Sequence, residues 1–553
     1  RMGLLTDPDA GTGRVIKFLL KCERLLCFLL YIGGVIWLLL LALPAFNDNT
    51  YFSENALLPG LVTKESNLEQ SSKQFYHELI HEMKRYHDGM PYAWLAAKLN
   101  QLQLDVFVHN FSLAYPFQEQ HFTGQNIYGI VRATRAASTE AIVVSVPFRP
   151  ITSIYLDTAP SVALLLAFAK FCRKQKYWAK DIIFLITEHE QLGIQAWLDA
   201  YHGVTSGREG VLISGDLPGR AGSIQAAINL ELHSMKVEGL NGQLPNLDLF
   251  NLAQNMIAKE GIRQTFQRRF DVKYKDDFKN WWYHFNTLAM MIATQATGIP
   301  TGNHGLFHRF GIEAITLEGF GKTGKGTERN FYQVGRVVES IVRSLNNLLE
   351  RFHQSYFFYL LPSTDTYISI GELKFTFLFY CFTLPCSNGS SSLFCKSLRD
   401  YIFFFRRMKY NNAALICVIV AVELATALMC IAMHNFSLAL VAAVIYVPVV
   451  LPIMPKQDTS NRFRYILYAL WIFLNPFVMS HLIILGYTYI NFPTDSLLSL
   501  VFRGYRATKQ AFVFSIMDSM IYGNWFYNVA TSIMFPICNK KYKALFLLFP
   551  YVK

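Results

Sequence analysis

Apolar and polar positions follow two periods through the first two thirds of the chain. Asp181-Ile-Ile-Phe-Leu-Ile-Thr187 is a continuous β-branched and aromatic run of strand length, and Leu192, Ala196 and Leu198 then recur at helical spacing. The stretch predicts strand, loop, helix. Its loop carries Glu188, His189 and Glu190 where a strand's carboxyl end meets a helix, the place where open α/β sheets put ligands and chemistry. The same reading predicts strands at 106–111, 127–132, 141–146, 182–187, 226–232 and 314–317. Helices are predicted at 71–85, 92–102, 161–170, 191–201, 247–259, 280–297 and 335–351. This alternation is that of a mostly parallel or mixed sheet covered by helices on both faces.

Long apolar stretches flank this region. One occupies 25–46, after Arg14, Lys17, Lys21 and Arg24, and others run over 367–385, 413–433, 436–454, 465–489 and 511–538. Each approaches the ~20 residues that cross a bilayer core. The pattern divides the chain into a cytosolic amino end (1–24), a signal anchor (25–46), an extracytoplasmic α/β domain (47–366) and a multi-span helical bundle of about five helices (367–553). The span at 367–385 is the weakest, because Glu372 and Lys374 lie inside it and each buried charge costs ~2.5–3.5 kcal/mol.

Composition agrees, since 52% hydrophobic and 16% charged residues in 553 are too apolar for an ordinary soluble chain. The net charge of +12 does not point to nucleic acid. Residues 47–366 carry 30 Lys+Arg against 30 Asp+Glu, whereas the segments assigned to the cytosol carry 16 against 5. The excess thus follows the positive-inside rule and forms no phosphate-tracking face. The loop 491–510, with Arg503, Arg506 and Lys509, is the exception. Asn110-Phe-Ser is the sequon placed for glycosylation, while Asn388-Gly-Ser falls in a cytosolic loop and Asn435-Phe-Ser at the membrane surface. Cys172 is the sole cysteine of the α/β domain, so that domain has no internal disulfide.

His77-Glu-Leu-Ile-His81 matches the zinc-protease pattern H-E-x-x-H. On a helix, however, Phe75, Leu79 and Met83 form the apolar stripe, and the two histidines fall on the opposite face with Lys84 and Arg85. A solvated helix face is expected there.

A second set is dispersed. Asp157 before a long helix, Glu188-His-Glu190, Ile228-Asn-Leu-Glu231 and Asn303-His304 resemble the successive site segments of co-catalytic zinc aminopeptidases. That resemblance implies a bridging Asp157, Glu190 or Glu188 as base or ligand, and Glu231 and His304 as ligands. The early His-x-Asp of that family has no counterpart in Val146-Pro-Phe-Arg-Pro150, and Gln191 stands where a second acid would be. Two outcomes stay open, a single divalent metal or an aminopeptidase-like fold whose acids are hydrogen-bonded relics.

Most of the chain resembles one family, the GPI-anchor attachment proteins, the multi-span subunit of the GPI transamidase. The stretches that carry it include Tyr51-Phe-Ser-Glu-Asn-Ala56, Asn126-Ile-Tyr-Gly-Ile130, Arg135-Ala-Ala-Ser-Thr-Glu140, Tyr177-Trp-Ala-Lys-Asp181, Val237-Glu-Gly-Leu-Asn-Gly-Gln-Leu-Pro-Asn246 and Ser355-Tyr-Phe-Phe-Tyr-Leu-Leu-Pro362. The resemblance implies an endoplasmic-reticulum membrane protein with its α/β domain in the lumen. It also implies a subunit without peptide-cutting activity, which works beside a caspase-like catalytic subunit to bring GPI lipid and proprotein together. The alternative is a metal-dependent enzyme of aminopeptidase type that activates the GPI ethanolamine amine or cleaves peptides; a lipid transporter is the third class. Glu423, Asn475, His481 and Asp518, polar residues within the apolar stretches, are the candidates for a lipid-headgroup groove.

Overall fold

The structure is a computed structural model. It describes residues 23–59, 61–86, 89–114, 121–134, 139–153, 157–231, 236–262, 265–266, 269–270, 276–317, 331–348, 350–374, 424–450, 485 and 497–526. The strands in chain order are β1 Asp48–Asn49, β2 Asp105–Ala114, β3 His121–Val131, β4 Glu140–Pro147, β5 Asp181–Thr187, β6 Leu212–Ile213, β7 Ser223–Leu230, β8 Thr265–Phe266, β9 Arg269–Phe270, β10 Glu313–Leu317, β11 Tyr359–Leu360 and β12 Thr366–Ser369. The helices used below are α1 Glu23–Leu40, α2 Glu69–Met83, α3 Tyr92–Gln101, α4 Ala159–Lys174, α5 Gln191–His202, α6 Leu247–Lys259, α7 Asp277–Ala296, α8 His304–Phe307, α9 Phe331–Asn346, α10 Phe436–Val450 and α11 Leu497–Tyr522.

Among the described residues, seven strands form one sheet in the order β10-β7-β4-β5-β3-β2-β6. Strands β10, β7, β4 and β5 run parallel, and β3, β2 and β6 add antiparallel partners. The parallel strands are buried on both faces, which is why they read as unbroken apolar runs. Along β5 the side chains alternate as a pleated strand requires. Ile183 and Leu185 pack in a cluster with Ile194, Trp197 and Leu198 of α5, whereas Phe184 meets Phe168 of α4 edge to face. Helices therefore cover both faces, as the periodicity predicts. The two contact units of the chain are Ala42–Ser369 with Asp518–Asn524, and the remainder.

The predicted α/β elements are present with small shifts. Helix α6 has the bounds predicted for it, while α9 starts at Phe331 and ends at Asn346 rather than running to 351. At its last residue the Asn346 side-chain oxygen accepts the backbone N–H groups of Ala179 and Lys180. The short β1, β11 and β12, two to four residues each, were not predicted. They form a separate three-stranded sheet, in which β1 and β11 flank β12.

The apolar flanks need more correction. Among the described residues no helix is long and apolar enough to cross a membrane. Helix α1 stops at Leu40, and Pro44–Phe46 forms a separate 3-10 turn inside the segment predicted as one helix. The segment 367–385 begins in β12, so its first residues belong to a strand. The predicted span 511–538 is broken by Gly523, whose φ of 64° ends α11 in the left-handed conformation that glycine adopts without strain. Helix α11 instead starts at Leu497 and carries Arg503, Arg506 and Lys509, residues predicted in a loop. Residues Asp518–Asn524 group with the α/β unit, where Arg208 N–H donates to Met520 O at 2.8 Å and the Arg309 guanidinium donates to the carbonyls of Ser206 and Tyr522. In the other unit, the Trp37 indole N–H donates to Glu372 O at 3.1 Å, and Asn435 caps α10 by accepting from Leu438 N–H at 2.9 Å. Glu423, Asn475, His481 and the Asn388 sequon lie outside the described residues.

Candidate functional site

Parallel β4, β5, β7 and β10 bring their carboxyl ends to one edge of the sheet, and the ladder continues past it. Phe148 N–H donates to Thr187 O at 2.7 Å, which carries Arg149 alongside the loop that follows β5. Arg149 is itself fixed by its own N–H, which donates to Thr158 Oγ1 at 3.1 Å.

The loop after β5 is strained. His189 and Glu190 both have positive φ, 58° and 52°, an arrangement that costs about 1–3 kcal/mol per non-glycine residue. Asn126 staples it in place, accepting from Glu188 N–H at 3.1 Å and donating to Gly193 O at 2.8 Å. Glu190 occupies the N-cap position of α5 without capping it. Its carboxylate turns to the Arg149 guanidinium, whose Nε donates to Oε1 and whose Nη2 donates to Oε2 at 3.0 Å. The same Nη2 lies 3.3 Å from Glu231 Oε2. Two carboxylates are thus tied to one planar fork, a geometry suited to arginine.

Glu231 follows β7 directly. Its Oε1 accepts from Asn229 Nδ2 at 2.7 Å and its Oε2 lies 3.7 Å from Lys236 Nζ. Asn229 also donates to Thr316 Oγ1 on β10 and accepts from Ser145 Oγ on β4, so one amide links three strands. His304 Nδ1 shares a 2.8 Å hydrogen bond with Thr316 Oγ1. Burial, with His308 and Lys236 nearby, holds its pKa well below the ordinary histidine value, so the ring is neutral. For Arg149, burial works against the charge, yet Glu190 and Glu231 outweigh it and raise its pKa.

Glu190, Glu231 and His304 therefore share one polar cluster, built around Arg149, Asn229 and Thr316. The position of Asp157 is different. It is exposed at the head of α4 and accepts from Ala159 N–H at 2.8 Å, a helix-capping bond. Glu188 points away, accepting from Tyr92 Oη and, at 3.0 Å, from Gln125 N–H. The choice between Glu190 and Glu188 falls to Glu190.

These residues do not fit a metal ion. Among the described residues no three His, Cys, Asp or Glu side chains group closely enough to hold one. A guanidinium already lies against both acids, and the metal set expected of Asp157, Glu190, Glu231 and His304 is replaced by an ion-pair and hydrogen-bond network. The residues missed by sequence reasoning are Arg149, Asn126, Asn229 and Thr316. Only Arg149 left a signal, as a cation in the stretch that lacks the His-x-Asp.

The H-E-x-x-H helix faces solvent as predicted. Phe75, Leu79 and Met83 are buried, His77 and His81 are exposed, and Glu78 pairs with Lys98 at 2.7 Å. Asp518 lies exposed on α11.

Comparison with known proteins gives the lineage. The family model described as Gaa1-like, GPI transamidase component, matches residues 123–385 and 373–540. The GPI transamidase component GAA1 of Saccharomyces cerevisiae is 29% identical over 381 residues, a match covering 66% of this chain and 56% of that protein. The gaa1 component of Schizosaccharomyces pombe is 26% identical over 523 residues, covering 84% and 87%. Among solved structures, a Porphyromonas gingivalis glutaminyl cyclase aligns over 51% of this chain and 100% of its own, at 15% identity and a TM-score of 0.32. A Bacillus subtilis zinc aminopeptidase aligns over 51% and 96%, at 11% identity and a TM-score of 0.32. Values this low leave the fold to its own strand order. The family match spans well over half of the sequence, and the chain belongs to the Gaa1-like family of GPI transamidase components.

Proposed function

We propose that this chain is a non-catalytic subunit of the GPI transamidase that helps bind the GPI lipid and assemble the complex attaching GPI to proprotein carboxyl termini. The match to the Gaa1-like model carries this reading. Two features of the α/β unit support it. The strand-end carboxylates are tied to Arg149 and so are not free to activate water or an amine. Cys172 is fully buried, and burial, with Glu339 nearby, pushes its pKa well above the ordinary thiol value, so it supplies no thiolate nucleophile.

The chain resides in the endoplasmic-reticulum membrane in this proposal, amino end cytosolic and α/β unit luminal, with a caspase-like partner supplying the reacting cysteine. The apolar stretches at 413–433, 436–454 and 465–489 and the charge distribution support it. The test is reconstitution. Complex depleted of this chain should fail to attach GPI to a reporter proprotein, and attachment should return when the chain is added back. The purified chain alone should neither cleave the proprotein nor release amino-terminal residues from peptides. Peptide cleavage by the chain alone would overturn the non-catalytic reading.

A further inference from the structure

Glu190 and Glu231 approach one guanidinium from two different strand ends. The Glu231 and Arg149 side chains are 6% and 10% exposed, and Glu190, at 32%, closes the outer side. Two carboxylates so placed repel each other, and the buried Glu231 is poorly solvated, so they need a cation between them. The chain provides one. We infer that Arg149 is the resident cation of this site, standing between Glu190 and Glu231 where a divalent ion would have to stand, and that its guanidinium excludes metal.

Three observations carry this. The fork engages both acids at once, with two of its nitrogens on Glu190 and one of those also on Glu231. Its backbone is anchored by the extension of the β4–β5 ladder and by Thr158, so the charge is held in place and is not a surface arginine that has swung inward. Glu231 is also held by Asn229 Nδ2, which donates to its Oε1, and has the Lys236 ammonium 3.7 Å from its Oε2. Among the described residues, two cations thus meet two carboxylates. The inference goes beyond the role in GPI attachment and stands or falls separately from it.

The experiment compares zinc content and melting temperature of the assembled complex with four forms of this chain. These are the wild type, Arg149→Met, Glu190→Gln/Glu231→Gln, and the three substitutions together. After incubation with zinc and desalting, the wild type and the triple variant should retain the same amount of zinc. Arg149→Met should retain more, and zinc should raise its melting temperature. Without zinc, Arg149→Met should melt below wild type, and adding the two Gln substitutions should recover most of the loss. If Arg149→Met alone fails to assemble, the triple variant should restore assembly. A zinc ion lost from the complex on Glu190→Gln/Glu231→Gln would overturn the assignment. So would an Arg149→Met chain that gains no zinc, or whose loss the Gln substitutions do not repair.

Discussion

Gly193 and Asn126 are so close that a Cβ added at Gly193 would stand 2.8 Å from Asn126 Oδ1, and nearer still to the carbonyl oxygen of Glu188. Only glycine allows α5 to begin beneath the strained His189–Glu190 loop. Gly193→Ala must therefore push the loop outward and break the Asn126 bonds. A loss of about 1–3 kcal/mol, typical of overpacking, is expected in chemical or thermal unfolding. An alanine variant as stable as wild type would show that the loop can shift freely.

The H-E-x-x-H pattern yields the opposite expectation. His77 and His81 are exposed, so replacing both with Gln should change stability by no more than about 0.5 kcal/mol. GPI attachment to a reporter should be unchanged. A severalfold loss of attachment with a normally folded chain would mean that this face meets something functional.

Glu313 provides a pH dependence. Burial pushes its pKa up to about 7, partly offset by the Asn246 N–H that donates to it at 2.6 Å. A carboxyl that holds its proton more tightly when folded favours the folded state at low pH, and that contribution is lost as pH rises through about 7. Glu313→Gln should thus stabilise the chain at pH values above 7, by about 3 kcal/mol, and leave it unchanged near the ordinary carboxylate range. Melting curves across that window decide it, and a gain independent of pH would point away from Glu313 ionisation.

Asn110 tests topology. It is exposed on β2, opposite Gln125. If the α/β unit is luminal, Asn110 should carry glycan, and Asn110→Gln should remove an endoglycosidase-sensitive mass shift. Asn435 should carry none, because its side chain is buried as the cap of α10.

Local periodicity was enough for six of the seven strands described in the main sheet and for the helices that cover it, since buried parallel strands must be continuously apolar and α2 must turn one stripe inward; the two-residue β6 was missed. The short β1, β11 and β12 could not be found this way, because two to four residues are too few to show a period, and β1 finds its partner β12 only across most of the domain. The site was legible in part. Glu190, Glu231 and His304 followed from a family resemblance, but Arg149 reaches Glu231 across 82 positions, and nothing local marks that contact. The resemblance showed where a ligand was missing, not that a guanidinium had filled its place. At the flanks, hydropathy alone extended a span through Gly523, where backbone conformation ends the helix.

β1 and β12 join the first and last strands of the α/β unit. Asp48 pairs with Tyr367 and Asn49 with Thr366, and Thr50 donates to Asp365 O across 315 positions. The continuous part of the unit, residues 42–369, thus begins and ends at one paired point. During synthesis that pairing cannot form until β12 has emerged, so β1 waits without its partner strand while residues 50–365 are made.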